Sequence, residues 1–362
     1  MLCAALLAGV APPAAAATTG VGWEPLSLPV TVAGAPYRLD ALLAFPDDGA
    51  RHPLAILSHG SPRSAADRPT LLPAANAMQM LWYVRHGFTV AAVLRRGYGH
   101  SEGGWAETYG TCAAPDYAGA GRNGAADIAA SIAALGGNAH VDASRVLAVG
   151  VSAGAFATVA LTAAPPRGLV AAVAFAPGRG STAPDRVCAQ DRLVAAFAAY
   201  GATSRVPILW ISARNDHYFD PPLVAKAVAA FDGAGGRATF VGVGASGDEG
   251  HYLFSAAAGV ALWEPAVSDF LVKNGFAFAA HPLDLGMPGL AVPPALGPRG
   301  RAAFAQYALE PPHKAFALAR DGHFGYAFGT SSAAAASTRA LAACPQAPGG
   351  CAVVNQDGVA SR

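Results

Sequence analysis

One short segment constrains the fold more than any other part of the chain. An aliphatic run at residues 145–149 ends in Gly150-Val-Ser152-Ala-Gly154 and continues directly into an alanine-rich stretch. Gly-x-Ser-x-Gly between a strand and a helix is typical of a tight turn that lifts a serine hydroxyl out of a sheet, and its glycines allow close backbone approach. The N–H of Ala153 would then lie at a helix N-terminus, where it can stabilise an oxyanion. The segment therefore predicts Ser152 as a nucleophile and Ala153 as an oxyanion donor.

A second match to the same pattern shows why the context matters. With 42 glycines in the chain, chance matches are expected roughly 0.2 times from composition alone. The second match, Gly99-His-Ser101-Glu-Gly103, follows a strand-like run but leads into a loop rich in Gly, Thr and Pro instead of a helix. Ser101 therefore lacks the structural context of a nucleophile.

The surrounding chain alternates between strands and helices. An antiparallel hairpin is predicted at residues 26–45. Further strands are predicted at 54–57, 88–94, 145–149, 169–175, 207–211 and 237–243, and helices at 74–85, 124–135, 153–163, 191–200, 222–231 and 263–273. This rhythm predicts an α/β fold with a mostly parallel sheet and helices on both faces. In such sheets the chemistry gathers at the C-terminal ends of the strands.

A reactive serine needs a histidine base and an acid that orients the imidazole. In this fold class the expected chain order is serine, acid, histidine, and Asp216 and His251 each follow directly after a predicted strand. Asp220 precedes two prolines and is predicted to cap a helix. His217 adjoins the acid and cannot easily fold back onto it. The sequence therefore predicts Ser152, Asp216 and His251 as the catalytic residues.

The turn His59-Gly60-Ser61 follows an earlier predicted strand. A His-Gly turn at this place lets backbone N–H groups point into the site, so the Ser61 N–H is predicted as the second oxyanion donor. The His59 side chain is predicted to pack beneath the turn. No Asp or His partner has ligand spacing to His59, so no metal is expected there. No cofactor is predicted for the chain.

Charge and the N-terminus limit the possible partners and compartments. With 24 basic and 23 acidic side chains the net charge is +1, so no field attracts nucleic acid. Residues 1–17 form a short apolar core ending in Ala-x-Ala and are predicted to be a signal peptide, although no Lys or Arg precedes Arg38. The segment is too short and too rich in proline to span a membrane. We expect a secreted or periplasmic protein.

Cysteine usage agrees with export. Loss of Cys3 with the signal peptide leaves four cysteines, Cys112, Cys188, Cys344 and Cys351. This even number without zinc-ligand spacing favours two disulfides. Of the three possible connectivities, Cys344–Cys351 is favoured by closeness in sequence, which leaves Cys112–Cys188. The second bond would tie the loops at residues 97–116 and 177–190 into a lid.

The C-terminal part has a different character. Residues 279–300 are crowded with Pro and Gly and are predicted to be a linker. Asp321-Gly322 is a strong hairpin signal, and a helix and a short strand follow. We therefore predict a catalytic domain at residues 18–278 and a small ββαβ module at residues 301–362.

Five short motifs occur in the order seen in a known superfamily: Ser58-His-Gly60, Arg95-Arg-Gly-Tyr-Gly-His-Ser-Glu-Gly103, Gly150-Val-Ser-Ala-Gly154, Asn215-Asp-His217 and Gly250-His251. On these motifs, residues 25–275 resemble the α/β-hydrolase superfamily, in particular its dienelactone-hydrolase and prolyl-oligopeptidase-like branches. The resemblance implies an eight-stranded sheet whose first two strands are antiparallel. It also implies hydrolysis of esters or, less often, amides, with the family's nucleophile, acid and base at Ser152, Asp216 and His251. Dienelactone hydrolases often use a cysteine nucleophile, where this chain has serine.

Loop residues near the predicted strand ends suggest how a substrate is held. Four aromatic residues are predicted to line an acyl or aromatic pocket, namely Trp105, Tyr109, Tyr218 and Phe219. Arg179 is predicted to bind a carboxylate. The predicted function is that of an exported serine hydrolase acting on a small carboxylic ester. The alternatives are a peptidase or amidase of the same fold and a non-catalytic binding protein whose C-terminal module docks a partner.

Overall fold

A computed structural model describes residues 19–286, 290–345 and 350–361. The predicted signal peptide at residues 1–17 lies outside the described residues. Within the described ranges, no helix has both the length and the apolar character needed to cross a bilayer.

The catalytic part is built on one large sheet. Its strands are β1 (Gly20–Val32), β2 (Ala35–Asp47), β3 (His52–Ser58), β4 (Thr89–Val93), β5 (Val141–Val151), β6 (Leu169–Phe175), β9 (Ile208–Ala213) and β10 (Ala238–Val243), and a separate ribbon is formed by β7 (Ser181–Ala183) and β8 (Arg186–Val187). The eight strands follow the order β1-β2-β4-β3-β5-β6-β9-β10. β1 pairs with β2 and β2 with β4 in antiparallel fashion, and the other pairs are parallel. The predicted mostly parallel, eight-stranded sheet is therefore confirmed.

Helices cover both faces of this sheet, as predicted. They are α1 (Ala77–Arg85), α2 (Tyr117–Leu135), α3 (Ala153–Ala163), α4 (Gln190–Gly201), α5 (Pro221–Gly233) and α6 (Val260–Lys273). Side chains of α2, α3, α4 and α5 pack in one apolar cluster, and those of α1 and α6 in another. Successive residues of β5 alternate between the two clusters, since Val146 and Ala148 join the first while Leu147 and Val149 join the second. This double burial explains why the central strands are continuous apolar runs.

Helix α2 begins seven residues before the predicted start at residue 124. The Asp116 side chain caps it by accepting the N–H of Gly119 at 2.7 Å. Glycines in its first turns suggested a loop, because glycine lowers helix propensity. Here two of them allow close packing: a Cβ on Gly121 would lie 2.2 Å from the Tyr200 hydroxyl, and one on Gly124 would lie 2.8 Å from the Ala157 Cβ.

The C-terminal part forms a separate antiparallel sheet. Its elements are α7 (Pro298–Leu309), β11 (Ala315–Ala319), β12 (Phe324–Ala327), α8 (Ala333–Ala343), β13 (Cys351–Gln356) and β14 (Val359–Ala360). The strands follow the order β12-β11-β13-β14, so the predicted ββαβ core is present with two additional elements. Helix α7 was missed because Pro298 and Gly300 resemble linker residues, whereas a proline in the first turn favours a helix start.

Candidate active site

Ser152 lies on the turn between β5 and α3 with a backbone φ of 55° and ψ of −121°. The flanking glycines make this turn possible. A Cβ on Gly154 would lie 2.1 Å from the carbonyl oxygen of Ser58, and one on Gly150 would lie 2.5 Å from the carbonyl oxygen of Gly154. Positive φ at a non-glycine residue persists only where the surrounding structure enforces it, and the Ser152 N–H donates to the Phe175 carbonyl at 2.9 Å. The serine is therefore held in a strained, fixed position at the edge of the sheet.

Asp216 and His251 form a buried pair near this serine. The Asp216 Oδ2 lies 3.1 Å from the His251 Nδ1. The Asp216 Oδ1 accepts the N–H groups of Tyr218 at 2.8 Å and Phe219 at 3.0 Å. The imidazole also stacks on the Tyr218 ring, with centroids 3.9 Å apart. These contacts fix the imidazole with Nδ1–H towards the carboxylate, which leaves Nε2 free to accept a proton.

Ser152 and His251 line one cleft together with Tyr218. In the described part of the chain no hydrogen bond within 3.5 Å joins the Ser152 hydroxyl to the imidazole. Catalytic hydrogen bonds are often long in ligand-free sites and tighten when substrate binds. The two side chains that were rejected as alternatives are engaged elsewhere: Asp220 caps α5 through the Leu223 N–H, and His217 contacts Asp185 at 3.0 Å. The structure thus brings Ser152, Asp216 and His251 to the same edge of the sheet.

The turn at His59 lies beside Ser152 and is held by its own imidazole. The His59 Nδ1–H donates to the Gly60 carbonyl at 2.6 Å, and Nε2 accepts the Arg95 N–H at 3.1 Å. Burial, together with the charge of Arg95, lowers the pKa of His59 to about 3, so the ring is neutral. Neither the Ser61 N–H nor the Ala153 N–H donates to any residue that the structure describes. Both residues line the same pocket as Ser152, so both N–H groups are available near the serine.

A buried ion cluster beneath this turn was missed by the sequence reasoning. Glu107 pairs with the guanidinium groups of Arg95 and Arg179, and all three side chains are buried. Burial would raise the pKa of Glu107, but the two guanidinium groups outweigh it and lower the pKa to about 2. The Tyr98 hydroxyl connects the cluster to the turn, at 3.2 Å from Glu107 and 2.9 Å from the Ser61 hydroxyl. The signal in the sequence was the pair Arg95-Arg96 directly after a buried strand in a chain with only 13% charged residues.

One pocket opens beside Ser152 and Ala153 and is called the arginine pocket here. The five residues that were predicted to bind substrate all line it: Trp105, Tyr109, Arg179, Tyr218 and Phe219. Arg63 and Arg68 also line it and were not predicted. Their guanidinium groups lie over the rings of Tyr218 and Trp105, at 3.5 and 3.6 Å from the centroids.

A second space, called the histidine cleft here, also borders Ser152. It shares Ser61, Pro62, Ser152 and Tyr218 with the arginine pocket, and it adds His251 and Tyr252. Its remaining lining is mostly small or apolar: Gly60, Leu71, Ala75, Asn76, Val151 and Ser255, together with His59. Two separate spaces therefore meet at the serine. Within the ranges that the structure covers, no group of three or more His, Cys, Asp or Glu residues could hold a metal ion.

Both predicted disulfides are formed, Cys112–Cys188 and Cys344–Cys351. The first joins the loop that carries Trp105 and Tyr109 to the loop that carries Arg179. It therefore ties together two walls of the arginine pocket.

We expect the two disulfides to contribute unequally to stability. The first bond spans 76 residues and the second 7, so loop-closure entropy makes the first more stabilising by about 2 kcal/mol. Guanidinium unfolding under non-reducing conditions should show the larger loss for Cys112→Ser/Cys188→Ser, with Cys344→Ser/Cys351→Ser as the matched control. Equal losses would contradict the prediction.

Comparison with known proteins relates this chain to hydrolases. A family model described as X-Pro dipeptidyl-peptidase (S15 family) matches residues 24–204, half of the chain. No curated protein sequence matches. An aminopeptidase from a marine sediment archaeon, Thaumarchaeota archaeon, is similar in structure with a TM-score of 0.50 and 16% identity, over 77% of this chain and 59% of that chain. The Pyrococcus furiosus esterase Pf2001 has a TM-score of 0.48 at 16% identity, over 69% and 91% of the two chains. Thermogutta terrifontis esterase 2 has a TM-score of 0.46 at 16% identity, over 70% of this chain and 95% of that chain.

Proposed function

Because the chain belongs to the X-Pro dipeptidyl-peptidase (S15) family of hydrolases, we propose that it is a serine hydrolase that cleaves carboxylic esters through an acyl-enzyme intermediate. The observation that carries the proposal is the oriented Asp216–His251 pair beside the strained Ser152. Two disulfides support an exported protein, because such bonds persist in oxidising compartments.

In the proposed mechanism Ser152 Oγ attacks the ester carbonyl while the His251 Nε2 takes the hydroxyl proton. Asp216 holds the imidazole and stabilises its protonated form. The N–H groups of Ser61 and Ala153 donate to the oxyanion of the tetrahedral intermediate. The carbon–oxygen bond to the leaving group then breaks, and His251 returns the proton to the departing alkoxide. Water, deprotonated by His251, attacks the acyl-enzyme, releases the acid and restores Ser152.

The charge of the arginine pocket favours an ester over a peptide with a free N-terminus. Arg63, Arg68 and Arg179 line it, and no Asp or Glu is among its described lining residues. An enzyme that removes residues from a peptide N-terminus must accommodate an ammonium group close to the scissile bond. Like charges in a partly desolvated pocket repel, so this pocket disfavours such a substrate.

Labelling with a fluorophosphonate probe tests the proposal. We expect covalent labelling at Ser152, mapped by peptide mass spectrometry, together with turnover of p-nitrophenyl esters and slow or absent turnover of aminoacyl p-nitroanilides. Efficient anilide turnover would replace the esterase with a peptidase of the same fold. Absence of both labelling and turnover would contradict any serine hydrolase function and would favour a binding protein.

A further inference from the structure

The cationic character of the arginine pocket indicates more about the substrate than its ester bond. We propose that the acyl part of the substrate carries a carboxylate that binds to Arg179 and Arg68, so that the substrates are monoesters of dicarboxylic acids. This inference rests on the proposed esterase function and names the substrate class of the same site.

Arg179 has donors that no described residue uses. It is buried, with 5% of its surface exposed, and lines the pocket. Its Nη2 pairs with Glu107, whereas no hydrogen bond within the described ranges involves its Nε or Nη1. Because Glu107 is paired with only one of its two terminal nitrogens, the guanidinium group can still donate to an anion that enters the pocket. The guanidinium fork matches the two oxygens of a carboxylate.

Arg68 approaches the same space from another loop. Its guanidinium group stacks on Trp105 at 3.6 Å from the ring centroid, and none of its nitrogens donates to a residue in the described part of the chain. Trp105 also faces Arg179, whose guanidinium carbon is 5.8 Å from the Trp105 ring centroid. Both guanidinium groups thus lie near the same aromatic ring, and both arginines line the same pocket.

The charge balance of the cluster fits one carboxylate. Arg95, Glu107 and Arg179 together retain one positive charge, because a single carboxylate faces two guanidinium groups. Arg63 and Arg68 add positive charge at the pocket wall, and no acidic side chain lines it in the described residues. A monoanion therefore neutralises the buried part without bringing an excess negative charge into it.

The position of His251 decides which end of the substrate carries the carboxylate. His251 must return its proton to the leaving group, so the leaving alcohol lies beside it, in the histidine cleft. The arginine pocket contains Ser152 and Ala153 but not His251. It therefore receives the acyl chain, and the carboxylate lies at the far end of that chain.

The test compares benzyl esters of equal acyl length. Monobenzyl adipate carries the carboxylate, and benzyl methyl adipate and benzyl hexanoate are its neutral controls. Since a hydrogen bond to a charged group contributes about 1.5–3 kcal/mol, we expect kcat/KM to favour the acid by roughly 10- to 100-fold. Arg68→Gln should lower this preference by roughly 10-fold. Arg237→Gln is the matched control, because Arg237 is exposed and precedes β10 at the opposite edge of the sheet.

A binding measurement separates the carboxylate-binding proposal from the proposed esterase function. Calorimetry should show that monobenzyl adipate binds to the Ser152→Ala variant. Adding Arg68→Gln to this variant should weaken binding roughly 10-fold. This result does not depend on whether the parent protein hydrolyses esters. Turnover of the neutral esters with no preference for the acid, or binding that ignores Arg68→Gln, would overturn the inference and leave the esterase intact. Binding that depends on Arg68 without probe labelling or turnover would instead overturn the esterase.

Discussion

Ser152→Ala is expected to lower kcat for p-nitrophenyl butyrate by roughly 10⁴- to 10⁶-fold. The change removes the attacking oxygen, and neither the Asp216–His251 pair nor the backbone donors can replace it. Residual hydrolysis would come from water positioned by the remaining groups. Initial rates measured at saturating substrate, with a blank for spontaneous hydrolysis, test this directly.

The variant should remain folded, which makes the loss of activity interpretable. Alanine and serine have the same Cβ and therefore tolerate the φ of 55° equally. We expect a melting temperature close to that of the parent protein. Ser101→Ala is the matched control from the second Gly-x-Ser-x-Gly match, because the Ser101 hydroxyl donates to the Leu94 carbonyl at 2.6 Å and accepts the Asp40 N–H at 2.9 Å. Activity retained in Ser152→Ala, or lost equally in Ser101→Ala, would contradict the assignment.

The grouping of Ser152, Asp216 and His251 could be predicted because each residue is marked locally. Each residue follows directly after a predicted strand, and the parallel topology brings these strand ends to one edge of the sheet. The His59 turn was predictable for the same reason. No distant contact has to be known to place these residues, because the C-terminal ends of parallel strands lie at the same edge of the sheet.

The pair Arg95-Arg96 after a buried strand signals buried charge, but the partners in the ion cluster could not be predicted because they are defined only by tertiary contacts. Glu107 lies in an irregular loop, and nothing near it in sequence indicates that it is fully buried between Arg95 and Arg179. Arg63 and Arg68 similarly resemble exposed loop residues. Arg179 was predicted to bind a carboxylate, and the structure pairs it with one from the protein itself.

The errors at element boundaries have a related physical origin. Glycines in α2 and the proline at the start of α7 were interpreted by local propensity, which disfavours helix at these residues. Packing outweighs that preference in α2, where Gly121 and Gly124 allow neighbouring side chains to approach closely. In α7 the proline occupies the first turn, where no N–H is needed.

The second large effect is expected from Glu107→Gln, which should lower the free energy of unfolding by about 3–5 kcal/mol. The amide keeps the shape of the side chain but removes its charge, so Arg95 and Arg179 remain buried without a counterion. Equilibrium unfolding in urea at neutral pH measures the loss. The matched control is Glu102→Gln, because Glu102 is exposed and, among the described residues, its carboxylate accepts only the Arg38 N–H, so we expect a change within about 1 kcal/mol.

The pH dependence of the difference in unfolding free energy between the parent protein and Glu107→Gln tests whether that difference is electrostatic in origin. The pKa of Glu107 is lowered from its ordinary value of 4.5 to about 2. A lowered carboxyl pKa contributes stability that is fully present above the unfolded-state value and is lost as the pH falls towards the folded-state value. The difference between the parent protein and Glu107→Gln should therefore be constant from about pH 6 to pH 8 and shrink below about pH 4.5. A difference that persists unchanged down to pH 3 would show that packing, and not the charge of Glu107, holds the two arginines, and the arginine pocket would then lose its electrostatic foundation.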